Sequence, residues 1–246
     1  MKWFTYFVIR KRVDRVAFGG FQQLIRNVSG QVSDRGGIRQ LNLIGHSFGG
    51  RMLILGLQHF LSSKHVDDYG NLFENLMQNN IAQINIITLN AAVAPREVMR
   101  RITNGHPPLP DSQTPEAPPT VPLVDYAQES TLIKVIEEKW HGHFFNVFSR
   151  HDLATGVLFP AASQLTTDDA TRAIGAAPFG TYQVLKVSES GHIQRPKLLR
   201  ERREAVWNID ASKIVFDHSD IYKGRVATML HELMREVEPG PHAGHS

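Results

Sequence analysis

The sequence predicts an α/β fold, a mostly parallel sheet with helices on both faces. Three observations predict it. Leu41–Ile44, Ile84–Leu89 and Phe144–Phe148 are short, largely apolar runs of the composition found in strands buried on both faces. Stretches of helical periodicity separate them, as parallel strands require, because each crossover must return the chain to the same end of the sheet. The first run also ends in a glycine-rich turn, Gly45 to Gly50, that leads straight into a helical pattern. At 246 residues and 41% hydrophobic, the chain can bury a core covering roughly 70% of its unfolded surface, and it reads as one domain over residues 1–238.

Taken in order, Val13, Val16, Phe21, Leu24, Ile25 and Val28 recur at helical spacing with Arg and Gln between them, so residues 1–30 predict mainly amphipathic helix. The alternative for residues 3–9 is a strand. Leu41–Ile44 is the next strand, Gly45 ends it, and Met52–Leu57 continues at helical density towards Phe60. Ile84–Leu89, between polar Gln78-Asn79-Asn80 and Pro95, is a second buried strand, and Arg96–Ile102 looks helical. Gly105–Pro122 holds seven prolines among Ser, Thr and Asp, a composition that forms neither helix nor interior strand and reads as a surface loop. Leu132–Glu138 predicts a short helix and Phe144–Phe148 a third strand. Tyr182–Val187 and Val206–Ile209 are weaker strands, Ile221–Val237 has helical periodicity, and residues 239–246 read as a disordered tail.

Charge narrows the partners. With 27 Lys and Arg against 24 Asp and Glu there is no basic stripe, which argues against nucleic acid. No apolar run approaches the ~20 residues of a bilayer span, so stable membrane insertion is not expected. Trp3–Ile9 is followed by Arg10-Lys11-Arg12 where a signal peptide would place small cleavage-site residues. The absence of cysteine excludes disulfides and thiolate chemistry. A cytoplasmic location is the resulting expectation.

Gly45-His46-Ser47-Phe48-Gly49 matches G-x-S-x-G in the context that motif needs, after an apolar strand and before a helix. Such a turn strains the serine backbone, and larger side chains two residues either side would collide, so Gly45 and Gly49 are read as relieving that clash. Ser47 becomes a candidate nucleophile, and the Phe48 N–H a candidate oxyanion donor at a helix N-terminus. A serine hydroxyl needs a base, and the base an orienting carboxylate. Asp152 follows the Phe144–Phe148 strand at its carboxyl end and is the candidate acid. Of the twelve histidines, His218 and His192 both follow Asp152 and a strand. His218 is preferred because Ser219-Asp220 is read as capping the helix that begins at Ile221, which anchors its loop.

On Leu43-Ile44-Gly45-His46-Ser47-Phe48-Gly49-Gly50, Phe148-Ser149-Arg150-His151-Asp152 and Asp217-His218-Ser219-Asp220-Ile221, the sequence resembles the α/β-hydrolase superfamily of serine hydrolases over roughly residues 38–235. The resemblance implies Ser47 as nucleophile, Asp152 as acid and His218 as base of an esterase- or lipase-like enzyme acting on a small-molecule acyl substrate without a cofactor. It also implies several strands ahead of the nucleophile strand and a second oxyanion donor from a His-Gly or glycine-rich loop. Only some forty residues precede Leu41 and no His-Gly lies among them, so the chain reads as lacking the amino-terminal third of that fold. Phe18-Gly19-Gly20-Phe21 would be the missing loop if residues 3–9 were a strand. Two consequences are expected: weak turnover, and self-association through an uncovered sheet edge. The alternative function is a degenerate hydrolase fold serving as a binding module.

Other features are set aside. His141-Gly142-His143 reads as a loop entering a strand rather than a metal site, since a third ligand at metal spacing is not visible. Arg200-Glu201-Arg202-Arg203-Glu204 reads as a solvated helical face with internal ion pairs, and Arg100-Arg101 as a solvated helix end.

Overall fold

The computed structural model describes residues 2–33, 40–62, 83–100, 131–164, 172–202 and 204–238. The proline-rich segment 105–122 and the tail 239–246 lie outside them. Five strands, β1 (Gln40–His46), β2 (Gln83–Leu89), β3 (Phe144–Phe148), β4 (Val184–Lys186) and β5 (Val206–Asp210), form one all-parallel sheet in the spatial order β1-β2-β3-β5-β4. The class is α/β, as the apolar runs and their spacing predict.

Every residue of β2 and β3 is buried, and alternate side chains feed two cores. Ile84, Ile86, Phe144 and Val206 pack on one face with Phe21 and Ile25 of α2 (Gly20–Ser33), Ile54 and Leu57 of α3 (Phe48–Ser62), and Leu132 and Ile136 of a short helix at Leu132–Glu138. Ile87, Leu89, Phe145, Val147, Trp207 and Ile209 pack on the other, against Val226, Met229 and Leu233 of a helix at Gly224–Glu236. Two-sided burial explains why β2 and β3 read as near-continuous apolar runs. By contrast β1 lies at an edge of the sheet among the described residues, only Gly45 in it is buried, and Ile44 is 43% exposed.

Residues 3–9 are helical, within α1 (Lys2–Phe18), so the strand alternative is corrected. Phe18-Gly19-Gly20-Phe21 is the turn from α1 into α2, and it loses the premise on which it stood as an oxyanion loop. Buried Arg51 of α3 ties the amino-terminal helix down: its Nε donates to Asp14 Oδ1 of α1 (2.9 Å), and Nη1 donates to both Glu97 oxygens (2.6 Å). Glu97 belongs to α4 (Pro95–Val98), where Pro95 opens the helix and Glu97 Oε2 accepts from the Ala94 N–H. Helix over 96–102 is thus corrected to a single turn, with 101–102 outside the described residues.

Three further boundaries differ. The strand expected at 182–187 is confined to Val184–Lys186; Val187 N still donates to Asp210 O (3.0 Å), and Val187 forms an antiparallel bridge with Ile193. The helix expected over 221–237 is a 3-10 turn at Asp220–Tyr222 and, after an extended Lys223 (φ −75°, ψ 145°), the helix Gly224–Glu236. Helix around Arg200 spans Leu198–Glu201 only; Arg202 pairs with Glu204 (3.6 Å) within the segment, whereas Arg200 reaches across to Glu236 (3.1 Å). No helix among the described residues is long and apolar enough to cross a membrane.

Candidate active site

Ser47 stands between the last residue of β1 and the first of α3, in the left-handed region at φ +52°. A non-glycine residue holds that conformation only when its surroundings impose it. They do so by hydrogen bonding: the Ser47 N–H donates to Leu89 O (3.0 Å), and Ser47 O accepts from Ala92 N (3.1 Å) and Arg51 N (3.3 Å). Close backbone approach sets the glycines. A Cβ at Gly45 would lie 2.7 Å from Gly49 O and Gly50 N, and one at Gly50 would lie 2.7 Å from Ala91 Cβ. A Cβ at Gly49 would meet nothing within 4 Å, so the steric role read for Gly49 belongs to Gly50. Phe48 opens α3 and packs against the buried cluster formed by Ala92, Ala94, Phe159 and Ala173.

The three residues singled out from sequence meet at the carboxyl ends of the strands. His218 Nε2 lies 2.7 Å from Ser47 Oγ, and His218 Nδ1 lies 2.7 Å from Asp152 Oδ2. A carboxylate only accepts, so Nδ1 carries the proton and Nε2 is left to accept from the Ser47 hydroxyl. His192 is elsewhere: its side chain is 64% exposed and pairs with Glu232 (3.6 Å). Of the two histidines, His218 is the one beside Ser47.

Asp152 is 1% exposed and yet supplied with donors on both oxygens. Oδ2 accepts from His218 Nδ1 and Asn90 Nδ2 (2.8 Å), and Oδ1 accepts from the backbone of Ala154 (2.9 Å) and Thr155 (3.3 Å). Burial alone pushes its pKa up; the hydrogen bond and charge of His218, then the Asn90 amide, outweigh that and hold it below the ordinary carboxylate value. The loop bearing His218 is fastened differently from the sequence expectation. Ser219 makes no side-chain cap; Asp220 Oδ2 instead accepts from the backbone of Phe216 (2.8 Å) and Asp217 (3.1 Å).

Two residues of the site escaped the sequence reading. Asn90 follows β2 directly, sits at φ +44° and is 1% exposed. Asparagine is among the few side chains that tolerate that backbone, and such a residue ending an apolar strand was the available signal. Gly175 lets the chain pass here, because a Cβ on it would overlap the Asn90 backbone. The second is His46, whose Nε2 lies 3.0 Å from the His218 carbonyl oxygen and whose ring centroid is 4.6 Å from that of His218. His143, set aside as a metal ligand, bonds the Glu204 carbonyl through Nδ1 (2.9 Å). No group of three metal-ligating side chains occurs among the described residues.

Compared with family models, curated proteins and solved structures, the chain matches none of them.

Proposed function

We propose that the chain is a serine hydrolase of the α/β-hydrolase type, cleaving a carboxylic ester or related acyl bond through an acyl-enzyme on Ser47. The observation that carries this reading is the unbroken relay from Asp152 through His218 to Ser47, with both links at 2.7 Å. Ser47 Oγ attacks the carbonyl carbon while His218 Nε2 takes its proton, and Asp152 stabilises the imidazolium that forms. The negative oxygen of the tetrahedral intermediate faces the Phe48 N–H at the start of α3. His218 then gives its proton to the leaving alcohol, leaving the acyl group on Ser47. Water, deprotonated by the same nitrogen, displaces the acid and restores the hydroxyl. With the Phe48 N–H as the one oxyanion donor assigned among the described residues, weak turnover is expected, since loss of a donor costs about 10²–10³ in rate.

A second reading, a binding module on a degenerate hydrolase fold, draws on the edge position of β1, which leaves the nucleophile strand paired on one side only among the described residues. A fluorophosphonate probe separates the two. Phosphonylation of the wild type and none of Ser47→Ala is the expected result, with slow hydrolysis of a short-chain nitrophenyl ester; a folded wild type that stays unlabelled removes the enzyme reading.

A further inference from the structure

His218 lies in a turn between β5 and the 3-10 turn at Asp220–Tyr222, in a stretch with no strand that is tied to β3 at its start by Ala211 N donating to Phe148 O (2.9 Å). Most of its ties are local: Asp220 folds back on Phe216 and Asp217, and Asp217 Oδ1 accepts from Ser219 (3.0 Å). Ser149 Oγ holds Val215 O (2.6 Å) three residues upstream. At His218 itself the ring is held by Asp152 and Ser47, and the backbone carbonyl by His46. A carbonyl oxygen accepts only, so His46 Nε2 carries the proton and donates it. The same ring packs against His218 at a 41° tilt.

We propose that His46 is a positioning residue for the base: its Nε2–H anchors the His218 carbonyl and its ring backs the His218 imidazole, so that the strand presenting the nucleophile also fixes the base opposite it. This rests on the serine-hydrolase reading of the same site. The adjacency of His46 to Ser47 is what makes the device effective. Any shift of β1 moves nucleophile and base together, and the 2.7 Å contact between them is preserved. Burial first, and then the neighbouring His218, push the His46 imidazole below its ordinary pKa, against the opposing pull of the His218 carbonyl and the Asp152 charge. A neutral ring at this place leaves His218 free to take a proton without like-charge repulsion.

The test uses the full chain as wild type, His46→Ala, His46→Gln and Ser47→Ala. Misplacing a catalytic group by about 1 Å costs on the order of 10²-fold, so H46A is expected to lose roughly ten- to a hundredfold in kcat and in fluorophosphonate labelling rate, with KM little changed. H46Q keeps an N–H donor and is expected to recover most of that loss. The low-field proton resonance of His218 Nδ1–H should stay sharp in H46Q and broaden in H46A. If H46A does not fold, His46→Phe replaces it, keeping a ring without the donor, with the same kcat loss expected. Labelling of H46A as fast as the wild type overturns the role of His46 and leaves the hydrolase reading intact, and so does an H46Q as slow as H46A. A folded wild type unlabelled like S47A overturns both.

Discussion

Asn90 does for Asp152 what a solvent molecule would do at the surface, supplying one N–H to a carboxylate that is cut off from water. A hydrogen bond to a charged group contributes about 1.5–3 kcal/mol, so Asn90→Ala is expected to destabilise the fold by that order at pH 7. The pH dependence follows from Asp152, whose folded pKa lies below its unfolded value. Its stabilisation is fully present above the ordinary carboxylate range and is lost as pH falls through the depressed folded value. The gap between N90A and wild type should therefore narrow below about pH 4, checked by urea midpoints at pH 7 and pH 3. Ser47, Asp152 and His218 were legible because each follows a recognisable strand or motif in chain order. Asn90 and His46 make contacts 62 and 172 residues away in sequence; the strand-end asparagine is a local signal, but neither partner can be read from its surroundings in the sequence.

Within α3 the first turn carries two adjacent glycines with unlike surroundings, and they respond differently to a methyl group. Gly49→Ala meets open space and removes a flexible residue from a helix, so it should be neutral or stabilise by about 0.5–1 kcal/mol. Gly50→Ala must displace Ala91 and should cost roughly 1–3 kcal/mol. Thermal melts of the two variants check this directly. The motif G-x-S-x-G points to Gly49, yet the close approach belongs to Gly50, because which side of a turn is crowded depends on the chain packed beside it, here Ala91 after β2. Element types were legible from periodicity. The break at Lys223 was not, since the apolar spacing of Ile221 to Val237 runs through it unchanged and only the backbone turns.

Across the whole sheet the burial of strands falls off at both ends, at β4 and at β1, and the β1 sequence Gln-Leu-Asn-Leu-Ile has no Lys, Pro or inward charge of the kind that protects an edge. Among the described residues no strand pairs with its outer side. Self-association through that edge is the expected behaviour, seen as a mass that rises with concentration in light scattering. Ile44→Lys should return the chain to a constant mass; an unchanged series would place the contact elsewhere.

The segment after β2 runs between Ser47 and the Asp152 loop and is bonded to both sides. Asn90 N donates to Val147 O (2.9 Å), Ala92 N to Ser47 O (3.1 Å) and Gly175 N to Ala91 O (3.2 Å), while Ser149 N donates to Gly175 O (3.1 Å). These amides form one mesh, so none can open to solvent without loosening its neighbours. In deuterium exchange the N–H groups of Ser47, Asn90, Ala92, Ser149 and Gly175 should therefore exchange together and late. Denaturant would then dismantle the Ser47–His218–Asp152 cluster in a single step with the central strands, with no half-assembled site surviving on the way.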